Sequence, residues 1–126
     1  GDTIARYGGE EFVVLLPRSE LHHSRQIAER IRRSIEDTQI EAPSGQLIKV
    51  TISIGLSMLA AALTSEPQST LAEGLVAAAD QALYQAKNGG RNRVVCAGNA
   101  PAVTATTALA RAWRPLRAAV RRLKRA

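Results

Sequence analysis

Apolar positions change their period along this chain, and the changes mark out its elements. Residues 3–6 and 12–16 are β-prone runs on either side of Tyr7, Gly8, Gly9, Glu10 and Glu11, which predicts a hairpin whose glycines permit a tight, positive-φ reversal. The second run, from Phe12 to Val13, Val14, Leu15 and Leu16, is apolar on both faces and is expected inside a sheet covered on both sides. After Pro17, Ser19 is the expected cap of a helix in which Ile27, Ala28, Ile31 and Ile35 recur at offsets of three and four. Arg25, Glu29, Arg32, Arg33 and Glu36 then face water, and the helix ends near Thr38, ahead of Pro43 and Gly45.

Further on, Val50, Ile52, Ile54 and Leu56 alternate with Thr51, Ser53, Gly55 and Ser57, the period of a strand with one apolar face. Pro43, Ser44 and Gly45 supply the turn before it. Residues 64–69 read as a polar loop, and Thr70 with Glu73 forms a capping-box pair that opens a second helix. Leu71, Leu75, Ala78, Ala79, Ala82, Leu83 and Ala86 trace its apolar stripe. Asn88, Gly89 and Gly90 suit a left-handed end to that helix, and residues 93–97 a short last strand. The order of hairpin, helix, strand, helix and strand is that of an α+β layered fold.

At 126 residues the chain has room for one domain with a single core. Only 3% of it is aromatic, so that core must come from Leu, Ile, Val and Ala. No apolar run reaches the eighteen or so residues a transmembrane helix needs, and there is no basic-then-apolar secretory leader. The lone Cys96 follows Val94 and Val95, where a small buried thiol is the expected reading and a cytoplasmic location the corollary.

The net charge of +6 is unevenly spread. Residues 1–98 hold ten Lys/Arg and eleven Asp/Glu, whereas residues 99–126 hold seven Lys/Arg and no acid. Basicity therefore belongs to the tail. Three segments follow: a folded body over residues 1–97, a small, polar, Pro-containing linker over 98–107, and a basic amphipathic tail over 108–126.

Gly8, Gly9, Glu10 and Glu11 set two carboxylates on a glycine turn, where backbone can approach a ligand closely and anionic oxygens can serve a Mg²⁺-nucleotide. Taken alone, four such residues more often make an exposed turn with solvated carboxylates. The wider run Ala5, Arg6, Tyr7, Gly8, Gly9, Glu10, Glu11, Phe12 resembles the signature of the GGDEF family in its GGEEF spelling. Val50, Thr51, Ile52, Ser53, Ile54, Gly55 resembles that family's next strand. Residues 79–87, followed by Gly90, Arg91 and Asn92, resemble its closing helix and loop.

The resemblance covers residues 1–97 and implies the C-terminal part of a GGDEF, nucleotidyl-cyclase-like domain. It further implies a diguanylate cyclase, which condenses two GTP into cyclic di-GMP with release of pyrophosphate, using Mg²⁺ or Mn²⁺ and a homodimeric site. On this resemblance Glu10 is the catalytic, metal-binding acid and Glu11 the adjacent acid of the metal site. Gly8 and Gly9 give the close approach to substrate, and Lys87 and Arg91 contact its phosphates. Lys87 has an alternative role, complementing the dipole at the end of its helix. Asp80 is expected to be structural, and the adjacent His22 and His23 to lie on the surface.

Asp2 matches the acid of the family's inhibitory product-binding site, and Arg30 matches an arginine that contributes to it. No counterpart of the family's N-terminal half is seen, including a further metal-binding Asp and the base-reading residues. The chain alone is therefore expected to be inactive and, with apolar faces uncovered, either poorly stable or self-associating. A non-enzymatic remnant that binds nucleotide or serves as an interaction module is the alternative.

In the tail, Ala112, Trp113, Leu116, Ala119, Val120 and Leu123 fall on one helical face opposite the arginines. Such a face suits an anionic membrane surface, at the inner face of the membrane. Pro115 breaks the continuity of that helix, and an unstructured basic tail is the alternative. No nucleic-acid partner is expected for the body. Tail-dependent, salt-sensitive binding to lipid or nucleic acid is a third reading. The upstream sensory domain is not identifiable from these residues.

Overall fold

The computed structural model describes residues 1–59 and 68–98. They form two compact units, Gly1–Ser19 and the residues from Glu20 onward. The expected linker and tail beyond Gly98, and most of the expected loop over 64–69, lie outside the described residues.

The first unit is the expected hairpin. Strands β1 (Thr3–Gly8) and β2 (Glu11–Leu15) pair antiparallel from Thr3↔Leu15 to Arg6↔Phe12, then slip by one residue so that Gly8 faces Glu11. The extra residue is Tyr7, a bulge that sharpens the local twist before the turn. Among the described residues only two strands pair here, and they do not cover β2 on both sides as its apolar run predicts. Ile4 is 70% and Phe12 62% exposed, and Val14 and Leu15 are exposed as well.

The second unit begins with helix α1 (Leu21–Asp37). Its N-cap is Glu20 rather than Ser19, without a side-chain cap; the Ser24 N–H bonds the Glu20 carbonyl at 2.9 Å. The C-terminal end agrees with expectation, the Thr38 N–H bonding the Ile35 carbonyl at 3.1 Å. Ser24 and Ala28 are buried on its inner face.

A small hairpin follows that the periodicity does not reveal. Strands β3 (Gln39–Glu41) and β4 (Leu47–Lys49) pair antiparallel, and both are exposed throughout. Gly45, at φ 80°, makes the turn between them, with its N–H on the Ala42 carbonyl at 2.8 Å. Pro43, Ser44 and Gly45 thus form a hairpin tip of their own.

The strand expected over 50–56 shortens to β5 (Ile54–Leu56), because its partner β6 (Val94–Cys96) offers only three residues. The two are parallel, with Ile54↔Val94 and Leu56↔Cys96, and a bond from the Ala97 N–H to the Leu56 carbonyl at 2.7 Å prolongs the ladder. Parallel neighbours need a long crossover, which helix α2 (Gln68–Asn88) provides. This helix already includes Gln68 and Ser69, so Thr70 lies within it and the capping-box start is not realised.

The stripe on α2 sits where its period places it. Ala82 and Ala86 are 1% and 0% exposed, and both helices pack on β5 and β6. The core is built from small residues because backbones meet there. An added Cβ at Gly55 would collide with the Ala79 carbonyl oxygen and the Leu83 nitrogen, and would lie 2.8 Å from the Leu83 Cβ. Ser57 reinforces the contact by donating its hydroxyl to the Leu75 carbonyl at 2.6 Å. Cys96 is half-buried rather than fully buried.

Gly55→Ala is therefore expected to cost roughly 2 kcal/mol or more, since the obstructing atoms are backbone that cannot swing aside. Gly98→Ala, where an added methyl meets nothing within 4 Å, is the control. Urea denaturation of both variants checks this through their midpoints.

Candidate functional site

At the hairpin tip, a two-residue loop of Gly9 and Glu10 joins β1 to β2. Gly9 adopts φ 52°, a conformation that a Cβ would disfavour and glycine accepts. The Arg6 guanidinium holds the loop by donating from Nε and Nη2 to the Gly9 carbonyl at 2.9 and 2.6 Å. Arg6 thus belongs to the turn itself, a role the sequence reading left unassigned.

Glu10 is exposed on this turn, while Glu11, the first residue of β2, is half-buried and engaged with another group. Cβ atoms built at Gly8 and Gly9 would meet nothing within 4 Å. The tip is thus open to close approach by a ligand, with carboxylate oxygens beside it. Asp2, just before β1, is exposed. Among the described residues, no three His, Cys, Asp or Glu side chains are grouped as a ready-made metal cage.

In the second unit, Lys87 lies in the last turn of α2, half-buried and engaged, where its charge complements the carbonyl end of the helix. The helix then closes through a 6→1 bond from the Arg91 N–H to the Ala86 carbonyl at 3.0 Å. Gly90, at φ 111°, occupies the left-handed position of this cap. The expected left-handed end is present, but it extends beyond the glycines. Arg91 and Asn92 are also left-handed, at φ 59° and 46°, a conformation that costs a non-glycine residue about 1–2 kcal/mol and Asn least.

A polar clasp holds this turn in place. The Asn92 amide nitrogen donates to Glu36 Oε1 at 2.5 Å, and its amide oxygen accepts from Arg32 Nη1 at 2.7 Å. The Asn92 backbone N–H donates to Ser53 Oγ at 3.1 Å. Arg32 also donates to Glu29 at 2.9 Å and to Glu36 Oε2 at 2.7 Å. The side chain of Arg32 is only 13% exposed, so it does not face water as the helical pattern predicts. Hydrogen bonds from Asn92 and then from Arg32 hold the Glu36 carboxyl below its usual range. The Glu29 and Glu36 carboxylates raise Arg32.

Spacings of three and four between Glu29, Arg32 and Glu36 identify a helical ion-pair ladder from sequence. Nothing in sequence announces its partner Asn92, sixty residues away. Arg30 stays outside the clasp. It is exposed on α1 and lines a shallow depression of about 320 Å³ with Ile31, Ser34 and Ile35. Asp80 is exposed and makes no hydrogen bond or ion pair among the described residues, contrary to its expected structural role; His22 and His23 are exposed as expected. The structure thus groups Gly8, Gly9, Glu10 and Glu11 on one turn, and Lys87 and Arg91 at one end of α2.

Residues 1–93 match the family model described as diguanylate cyclase, GGDEF domain. The chain is 46% identical to diguanylate cyclase A of Treponema denticola over 98 residues, covering 78% of this chain and 24% of that protein. It is 42% identical to the response regulator PleD of Caulobacter vibrioides over 95 residues, covering 75% of this chain and 20% of that protein. The GGDEF domain of DgcB from Caulobacter crescentus, solved in complex with c-di-GMP, aligns with a TM-score of 0.65 at 31% identity, over 76% of this chain and 53% of that one. This chain therefore spans a quarter or less of those curated relatives and about half of the solved domain.

The clasp has a pH signature. Because the Glu36 carboxyl is lowered in the folded state, its contribution is complete above the ordinary carboxylate value of about 4.3 and is lost as pH falls through the folded value. Stability is expected to fall more steeply between about pH 5 and pH 3 in the native chain than in Glu36→Gln. Urea midpoints across that range provide the comparison.

Proposed function

This chain belongs to the GGDEF domain family of diguanylate cyclases, and from that premise we propose that its hairpin and closing loop serve the condensation of two GTP into cyclic di-GMP, with release of pyrophosphate. The observation that supports the reading most directly is the turn itself. Gly9 is left-handed, Gly8 and Gly9 are open to close approach, and Glu10 is exposed between them and Glu11. Since the chain spans 53% of the DgcB chain, the activity proposed is that of the complete domain.

The donor chemistry fits a divalent metal. Mg²⁺ takes oxygen ligands, keeps several waters and is commonly held by one or two carboxylates together with substrate phosphates. The absence of a three-residue cage among the described residues is therefore compatible with such a site. Glu10 would hold the ion, Mg²⁺ or Mn²⁺, and Glu11 would support it. When bound, the ion supplies neutralisation of the charge that builds on the phosphoryl oxygens.

The remaining tasks fall to the chain's own groups. Gly8 and Gly9 admit the nucleotide to the turn, and the bond from Arg6 to the Gly9 carbonyl keeps its backbone fixed. On the family's motif, Lys87 and Arg91 are proposed to supply positive charge to substrate phosphates, and the reaction is attack of the 3′-hydroxyl of a second GTP on the α-phosphate. That second nucleotide calls for a second copy of the domain, so a homodimer is part of the proposal. Asp2 and Arg30, both exposed, are proposed as contacts for the cyclic product. Their support is the family's motif and the presence of c-di-GMP in the DgcB complex.

Among the described residues no helix is long and apolar enough to cross a membrane. We propose a cytoplasmic setting with attachment to anionic lipid through residues 99–126, on the strength of their seven basic residues and no acid.

Incubation of the chain with GTP and Mg²⁺, beside Glu10→Ala, tests the reading. Mg²⁺-dependent GTP affinity is expected to fall about tenfold or more in the variant. Any cyclic product detected by mass spectrometry should vanish with it. Nucleotide binding indifferent to both Mg²⁺ and Glu10 would contradict the assignment and favour a non-enzymatic interaction module.

A further inference from the structure

We infer that Asn92, gripped by Arg32 and Glu36 of α1, is a positioning residue that holds Arg91 in the left-handed turn from which its guanidinium meets a nucleotide phosphate. The inference rests on the phosphate-binding reading of Arg91 given above and adds the residues that make that reading structurally workable.

Both backbone groups of Arg91 are occupied. Its N–H bonds the Ala86 carbonyl at 3.0 Å, and its carbonyl accepts from Arg93 Nε at 3.1 Å. Its guanidinium, in contrast, makes no hydrogen bond or ion pair among the described residues, and the residue is exposed. An arginine does not favour φ near 59° by itself. The conformation persists because the residues on either side are fixed: Gly90 ends the helix, and Asn92 is held at three points. Held in this way, Arg91 offers a cation whose backbone is ordered before any ligand arrives, so little further ordering is needed on binding.

The side-chain type at 92 follows from the same geometry. An amide presents a donor to Glu36 and an acceptor to Arg32 at once, and Asn tolerates the left-handed region better than other non-glycine residues. Aspartate would set a carboxylate against Glu36, and a hydrocarbon would remove the bonds to Glu36 Oε1 and from Arg32 Nη1, leaving only those Arg32 makes with Glu29 and Glu36. Arg32 in turn is engaged by Glu29 and Glu36, so its charge serves the clasp and does not compete with Arg91 for an anion. A residue of α1 thereby acts on the phosphate-binding end of α2 without touching the ligand.

The test is a mutant cycle on the 126-residue chain, with GTP and Mg²⁺ as the probe and backbone NMR as the readout of affinity and of the Arg91 conformation. Arg91→Ala is expected to lower affinity about tenfold. Asn92→Ala is expected to lower it roughly three- to tenfold and to move the Arg91 amide and Cα shifts away from left-handed values. In the Arg91→Ala background, Asn92→Ala should cause no further loss, because its effect passes through Arg91. If Asn92→Ala does not fold, the exchange of amide and carboxylate in Asn92→Asp with Glu36→Gln replaces it. Asn92→Asp alone should weaken binding, and the added Glu36→Gln should restore it. A loss from Asn92→Ala that is undiminished without Arg91, or Asn92→Ala and Asn92→Asp variants that bind as the native chain does, would overturn the positioning role. If Arg91→Ala itself leaves affinity unchanged, the phosphate reading fails first and the inference falls with it.

Discussion

The close approach of β5 to α2 at Gly55 is the constraint on which the second unit depends. With the Ala79 carbonyl and the Leu83 nitrogen lying where a side chain would stand, strand and helix meet backbone to backbone. The core between them is accordingly made of Ala82 and Ala86 rather than large side chains. The crossover through α2 sets β6 parallel beside β5, and the short return between helix and strand has to be turned within residues 89–93. A left-handed run through Gly90, Arg91 and Asn92 solves that problem. Arg91 sits within that run, directly after the glycine that ends α2.

Charge is used differently in the two units. Around Asn92, opposite charges are brought together and satisfied: Arg32 is matched by two carboxylates and an amide. On the hairpin, Arg6 is spent on a backbone carbonyl, and Glu10 stays exposed. The first arrangement stabilises a local conformation, while the second leaves a carboxylate exposed, as the proposed metal–nucleotide site requires. A divalent cation with a nucleotide satisfies that requirement with the ligand types Mg²⁺ favours.

Much of this was legible in the sequence, for reasons tied to particular residues. The stripe from Leu71 to Ala86 identifies α2 because a 3.6-residue period sustained over more than four turns has no rival reading. The glycines at 8 and 9 identify the turn because its backbone requires one of them. Three features stayed hidden. The hairpin of β3 and β4 is exposed throughout and therefore leaves no apolar period. The strand over 50–56 shows the right alternation, yet its length is set by the three residues of β6, a property of the partner. Arg32 reads as a solvent-facing helix residue until Asn92, far along the chain, is placed against it. Local periodicity reports what one element buries, not which distant polar group will meet it.

The central claim is that the Gly9 turn is a metal–nucleotide tip. The most direct measurement is paramagnetic broadening of the chain's amide resonances by substoichiometric Mn²⁺ in the presence of GTP. Broadening centred on Gly8, Gly9, Glu10 and Glu11, and abolished by excess Mg²⁺, is the result this account requires. Broadening centred on other acidic residues, or none at the turn while GTP is bound, would contradict it.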